Sequence, residues 1–455
     1  MTSHIAYLRI EAYSDHPEVG RAAEQLVEAL MTTMARRRDL DKYLRDARKL
    51  IASLWLKGDK DLFRFTTKVT YYSPRARKQV WMTRRVLKLF NQMRALGWIS
   101  AVKEAVPPYS SKKTSGGMTA IYCRTKTFKD LLTTLTVTDL VPNPDMPRVE
   151  LRDEDQQLRE LPDNYLSTAS YQKTVSSLEQ HYELLASSDI RFSDSKPVPL
   201  SLLYFVRKYR PDFKHGGRIY AGFQNLPKRE RLRITILGEA VASLDISQLH
   251  PALILRLTHS EDKERGGMLL KALPEVYSMP NYTDLPRAVH KKLINTLINA
   301  PTEASATRSL INHYYWWDIF QDKWVVKSYK GKQKREGQKV FAEDKPLRAA
   351  ERYVASFKAH HPMLSEAVCS GVGSELQLLD GQLMETVINV ATKAKVPILP
   401  IHDEIIIPKQ YKTFAEILLQ RAFQATFKDA GRFGVINAKW SDIEKEELIE
   451  INLSV

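Results

Sequence analysis

The stretch from Gly217 to Pro251, GRIYAGFQNLPKRERLRITILGEAVASLDISQLHP, carries an acid, Asp245, at the end of an otherwise apolar run. Strand alternation puts Val241, Ser243, Asp245 and Ser247 on one side and Ala242, Leu244 and Ile246 on the other. A helix is expected to begin near Ser247 or His250. Burying a carboxylate among apolar neighbours is costly unless it is paired or binds a metal. A second such run lies far downstream, Val396 to Pro408, VPILPIHDEIIIP, where His402, Asp403 and Glu404 interrupt a hairpin-like apolar stretch. Two strands that each carry an acid suggest one shared metal site.

Between them runs RAVHKKLINTLINA, Arg287 to Ala300. Arg287, Lys291, Asn295 and Asn299 follow one another at four-residue steps and so share one helical face. Val289, Leu293, Leu297 and Ile298 fall on the opposite side, which turns the polar row towards a cleft. If Asp245 and Asp403 meet, their like charges need divalent cations. Two Mg²⁺ ions about 3.5–4 Å apart, with Mn²⁺ an alternative, would clamp an attacking hydroxyl and a leaving pyrophosphate. Lys291 would hold the triphosphate and neutralise the leaving group. Taken singly, a strand-end Asp reads as a cap and a basic helix as a solvated face. Acid, basic helix and second acid in that order read as a nucleotidyltransferase, with Asp245, Lys291 and Asp403 catalytic and the two acids as metal ligands.

These segments resemble the motifs of family A polymerases. DISQLHP from Asp245 is similar to their DYSQIE, and IHDE to their V-H-D-E. The helix from Arg287 is similar to their run of Arg, Lys, Phe and Tyr-Gly at four-residue steps, and GRIYAGFQNLPKRERLR to their TGR…LQNIP…GRRIR. Order and spacing agree over roughly Gly216 to Pro408. The resemblance implies a palm with an antiparallel sheet and helical fingers, with Asp245 and Asp403 on the metals and Arg287 and Lys291 on the incoming triphosphate. It also implies Arg218, Gln224 and Asn225 near the primer-template minor groove, and His402 and Glu404 beside the primer terminus. The chain departs from the family at three places. His250 stands where a Glu blocks the ribose 2′-OH, Asn295 where an aromatic stacks on the base, and Asn299-Ala300 where the family has Tyr-Gly. The bulk of His250 leans towards deoxynucleotides.

Composition agrees with a polyanionic partner. The 455 residues carry a formal charge of +16 with 20 Tyr and 7 Trp, a balance suited to neutralising phosphates and stacking on bases. With only 2 Cys, neither a disulfide framework nor a cysteine zinc site is expected, and a reducing cytoplasm, nucleoid-associated or in a host cytosol, is the expected setting. The first residues, MTSHIAYLRIEAYSDHPEVGR, lack the pattern of a signal peptide. No apolar run approaches the length of about 18 residues that a membrane span needs.

The N-terminal part reads as helices over residues 17–57 and a helix RRVLKLFNQMRALGWI after Thr83, with Gly97 at its stop. Two short strands, WISAVKE and MTAIYCRTKTF, then flank a basic, Gly- and Pro-rich tip. Helices followed by a hairpin resemble a winged helix, which implies DNA contacts from Arg84 and Arg85 on the helix and from Lys112 and Lys113 on the wing. VPNPDMPRVELRDEDQQLRELPDN, with its prolines and acids, reads as a linker. The expected division of this α+β chain is 1–140 helical and winged-helix-like, 141–200 linker and helical segment, and 201–455 polymerase-like. Three readings stay open: a compact DNA polymerase of a mobile element, phage or plasmid acting on DNA primer-template; an RNA-synthesising primase or small single-subunit RNA polymerase; and a catalytically idle replication initiator.

Overall fold

Amphipathic helices gather the first core of the computed structural model, which describes residues 7–33, 39–56, 62–67, 72, 82–103, 120–246, 248–258, 276–283, 287–312, 315–318, 323–326, 344–426, 436–440 and 448–451. Helix α1 (Pro17–Met31) begins on a proline, whose missing N–H costs nothing in a first turn. Helix α2 (Leu40–Trp55) buries Ala47, Leu50, Ile51 and Leu54 against it. Strand β1 (Leu62–Arg64) precedes helix α3 (Arg84–Ala95). Thr83 Oγ1 caps α3 by accepting from Val86 N at 3.3 Å, and Gly97, with φ +70°, lets the chain turn away from it. Strands β2 (Ile99–Lys103) and β3 (Ile121–Arg124) join β1 in an antiparallel sheet of order β1-β3-β2. Phe65 stacks on Phe90 at 3.8 Å inside this core. The expected helices and strands thus occur, but the hairpin tip with Lys112 and Lys113 lies outside the described residues.

The segment read as a linker differs from expectation. It supplies β4 (Val149–Arg152), all four of whose residues are buried, and β5 (Leu158–Arg159). After helix α4 (Ala169–Ala186) and strand β6 (Ile190–Arg191) come β7 (Val206–Tyr209) and β8 (Gly216–Tyr220). The sheet order is β5-β4-β7-β8, with β4 and β7 parallel. The charges that suggested a solvated linker are neutralised internally: Glu150 Oε2 accepts from Arg152 Nε at 2.8 Å and lies 3.6 Å from Lys208 Nζ. Contacts to the first core also continue past residue 140, since Tyr13 pairs with Val141 and Asp145 takes ion pairs from Lys49 and Arg45.

The rest of the chain forms β9 (Thr235–Ile236), β10 (Glu239–Ile246), α5 (Leu249–Thr258), α6 (Arg287–Asn299), α7 (Glu303–Asn312) and α8 (Asp344–His360). It continues through α9 (Gly373–Lys393), β11 (Leu399–Ile401), β12 (Glu404–Pro408), α10 (Lys412–Thr426), β13 (Ile436–Trp440) and β14 (Leu448–Ile451). Strands run β11-β12-β10-β9-β6, with β13 on the other side of β10 and β14 beyond it. A second hydrophobic core extends from Leu178 to Phe423 around this sheet. Of Val241 to Ile246, only Asp245 is not fully buried, so β10 is covered on both faces rather than alternating. Helix α9 lies directly on β8. A Cβ on Gly381 would stand 2.0 Å from the Gly217 carbonyl oxygen, so the two backbones touch where neither residue has a side chain. The same approach sets two acids of α9 on two arginines: Arg218 Nε donates to Asp380 Oδ2 at 2.5 Å and Arg207 Nη1 to Glu385 Oε2 at 2.5 Å. The architecture is mixed helix and mostly antiparallel sheet, an α+β fold.

Candidate active site

Antiparallel pairing brings the two acid-bearing runs together. Register sets Asp245 opposite Glu404 and Leu244 opposite Ile405, and the ladder continues as Ile246 N donates to Asp403 O at 3.0 Å. Strands β11 and β12 are joined by the turn His402–Asp403. His402 has φ +55°, a left-handed conformation that non-glycine residues adopt rarely and at some cost. The turn takes Asp403 out of strand alternation just before β12 begins, beside the last two residues of β10, Asp245 and Ile246. Burial, then the neighbouring charges of Asp380 and Asp245, push the Asp403 carboxyl up to about 6. Glu404, across from Asp245, accepts a hydrogen bond from Ser243 Oγ.

A third carboxylate stands here that the sequence reading missed. Asp380 is 1% exposed, and its Oδ1 has no hydrogen-bond partner among the described residues. Burial raises its carboxyl, yet beside the Arg218 guanidinium it stays below the usual carboxylate range. The separation of Asp380 Oδ2 from His250 Nε2 is 3.9 Å, beyond hydrogen-bond range. Arg218 bridges the two, with Nη2 2.9 Å from His250 Nε2. His402 packs edge-on against Tyr220 at 5.4 Å. Burial and then Arg218 push its imidazole down to about 4, so the ring is neutral at pH 7.

Helix α6 approaches the same centre through Tyr277. The Arg287 guanidinium lies over the Tyr277 ring at 5.1 Å. Burial pushes that phenol up to about 12, with Arg287 opposing and Asp403 adding to the rise. Arg287 and Asp403 therefore act on one phenol from two elements. Lys291 and Asn299 are exposed on the same face and Asn295 is half-buried; Asn299 Nδ2 donates back to Asn295 O at 2.7 Å. Between Arg287 and Lys291, buried His290 anchors the helix. Its Nε2 donates to Tyr282 O at 3.1 Å, and its Nδ1 accepts from the Tyr353 hydroxyl at 2.9 Å.

Other expected contacts divide. Gln224 uses its amide donors inside the chain, on Pro400 O at 2.8 Å and Ile219 O at 3.3 Å, which ties its turn to β11. Asn225 is exposed, with Nδ2 donating to Gly222 O at 3.1 Å. Beyond Tyr220 a cavity of about 280 Å³ is lined by Arg152, Lys208, Arg210 and Gln377. On α3, Arg84 is exposed, and Arg85, part-exposed, donates from Nε to buried Asp46 at 2.8 Å. Asp46 also holds Lys49 at 3.2 Å, so Arg85 balances a buried acid.

The donors offered at the centre are carboxylate oxygens, the kind that Mg²⁺ and Mn²⁺ prefer. Among the described residues no group of three or more His, Cys, Asp or Glu could hold a metal ion. Asp245 and Asp403 suit ions whose remaining positions are filled by phosphate oxygens or water. No protein-family model matches the chain and no curated protein matches its sequence. Among solved structures it is similar to the POL domain of Pol1 from M. smegmatis in complex with DNA primer-template and dNTP, at 13% identity and a TM-score of 0.26. The match covers 68% of this chain and 59% of that one, so the chain spans under two thirds of the domain it matches. So slight a likeness assigns neither fold nor activity. Among the described residues no helix is long and apolar enough to cross a membrane.

Proposed function

We propose that this chain is a template-directed nucleotidyltransferase, a compact DNA polymerase of a mobile element, phage or plasmid that extends a primer on DNA. One observation carries the reading: Asp245 and Asp403, far apart in sequence, lie at the same end of two paired strands, where burial and the charges of Asp380 and Asp245 raise the Asp403 carboxyl. Accumulated negative charge of this kind is a liability unless cations are present. Asp245 and Asp403 would hold divalent cations, which when bound stabilise the charge of an in-line phosphoryl transfer. Arg287, over Tyr277, and Lys291, one turn on, would take the triphosphate, and Asn295 and Asn299 continue that face. His250 would meet the sugar. Asn225, His402 and Glu404 would lie along the duplex, which the basic cavity beyond Tyr220 would receive by its backbone phosphates. Arg84, with Lys112 and Lys113, would bind DNA from the N-terminal part.

Primer extension with Mg²⁺ and labelled dNTPs or NTPs tests the reading. Incorporation by the wild-type chain should fall by about 1000-fold in Asp245→Asn and in Asp403→Asn. Variants that incorporate nucleotide as well as wild type would remove the two-metal site. Incorporation of NTPs alone would favour the RNA-synthesising reading.

A further inference from the structure

The contact between Arg218 and His250 fixes a proton. A guanidinium has only donors, so the 2.9 Å approach of Arg218 Nη2 to His250 Nε2 requires a bare lone pair on that nitrogen. A protonated imidazole would set two cationic donors face to face. His250 is therefore neutral with its proton on Nδ1, and the bond that Arg218 donates decides which nitrogen is bare. Arg218 is oriented in turn by Asp380, whose Oδ2 accepts from Nε at 2.5 Å. Asp380 reaches it because the glycine contact lets α9 lie on β8. A carboxylate 1% exposed with one oxygen unpartnered is costly to keep for packing alone. His250 lies in the first turn of α5, four residues past the end of the strand that carries Asp245.

We propose that Asp380 is a positioning residue for sugar selection: it holds Arg218, and Arg218 holds His250 as the neutral Nδ1–H imidazole that meets the sugar of an incoming nucleoside triphosphate. The sugar part rests on the function proposed above, whereas the proton on His250 does not. A ring held at Nε2 cannot swing aside for a 2′-hydroxyl, so deoxynucleotides are the selected class.

Histidine-selective ¹⁵N NMR on the full chain, with His250 assigned from His250→Gln, reads the tautomer without any turnover. Wild type should give a bare Nε2 and a protonated Nδ1, and a protonated Nε2 would overturn the proposal whatever the activity. In Asp380→Asn, and in Arg218→Lys, which keeps the charge but loses the planar fork, that signature should be lost. The wild-type kcat/KM ratio for dNTP over NTP should fall at least about tenfold in Asp380→Asn, with dNTP kcat changing less than the ratio. Equal use of both sugars by wild type, or an unchanged ratio in a folded Asp380→Asn, overturns sugar selection. A chain that incorporates nothing overturns it together with the function it rests on, while the spectrum still decides the Asp380–Arg218–His250 relay.

Discussion

Asp403 is costly to ionise in the cation-free protein. Its folded value, about 6, lies above the ordinary 3.8, so the folded state binds more protons than the unfolded state between those values. The stability this group contributes is then fully present below pH 3.8 and lost as pH rises through 6. A divalent cation reverses the penalty by binding the ionised form. Mg²⁺ or Mn²⁺ should therefore raise the melting temperature at pH 7.5, have little effect at pH 5, and have little at either pH in Asp403→Asn. Thermal melts across that grid check it, and a metal shift as large at pH 5 as at pH 7.5 would place the ion elsewhere. Asp245 and Asp403 were legible because each interrupts a short apolar run. Asp380 was not singled out: it sits on the apolar stripe of α9, four residues after Leu376 and four before Met384, but only its partner on β8, Arg218, gives an acid there a role. Tyr277 was equally hidden, since nothing beside it in sequence announces Arg287 or Asp403.

Among the elements, β4 departs most from expectation, while α3 forms where expected and sets its two arginines differently. On α3 two adjacent arginines look alike in sequence, yet one faces solvent and the other turns back onto Asp46 of α2. Arg84→Ala should weaken DNA binding and lower its salt slope by about 1 while leaving stability unchanged. Arg85→Ala should cost about 1–2 kcal/mol, since Lys49 still partners the buried acid, and leave the salt slope alone. Urea melts and a salt titration of DNA affinity separate the two, and equal effects from both variants would discard the distinction. The reading of β4 failed because charge density normally signals solvent. Glu150 pairs instead with Arg152, two residues on along the same strand, and lies near Lys208 of β7, and only the second of these is hidden from the local pattern. The polar face of α6 was legible from its four-residue spacing, but the His290 anchor beneath it was not.

Among the described residues, apolar side chains collect into two large cores, Leu8 to Leu140 and Leu178 to Phe423, and a small cluster of Val149, Leu151 and Tyr209. Ion pairs to Asp145 and the pairing of Tyr13 with Val141 carry the first unit a little beyond the expected boundary. A fragment of residues 1–147 should fold alone, with a cooperative melt and near-ultraviolet circular dichroism from its packed aromatics, whereas residues 1–135 should be clearly less stable. A fragment 1–147 with no cooperative melt would mean that the two cores fold only together. The contact between Gly217 and Gly381 also limits how such a molecule can move. Sliding α9 along β8 by one residue would drive the side chain of Asp380 or Gln382 into a backbone carbonyl, so shear between them is blocked. Strand and helix must travel as one rigid block, and any opening of the cleft has to come from hinges in the chain on either side of it.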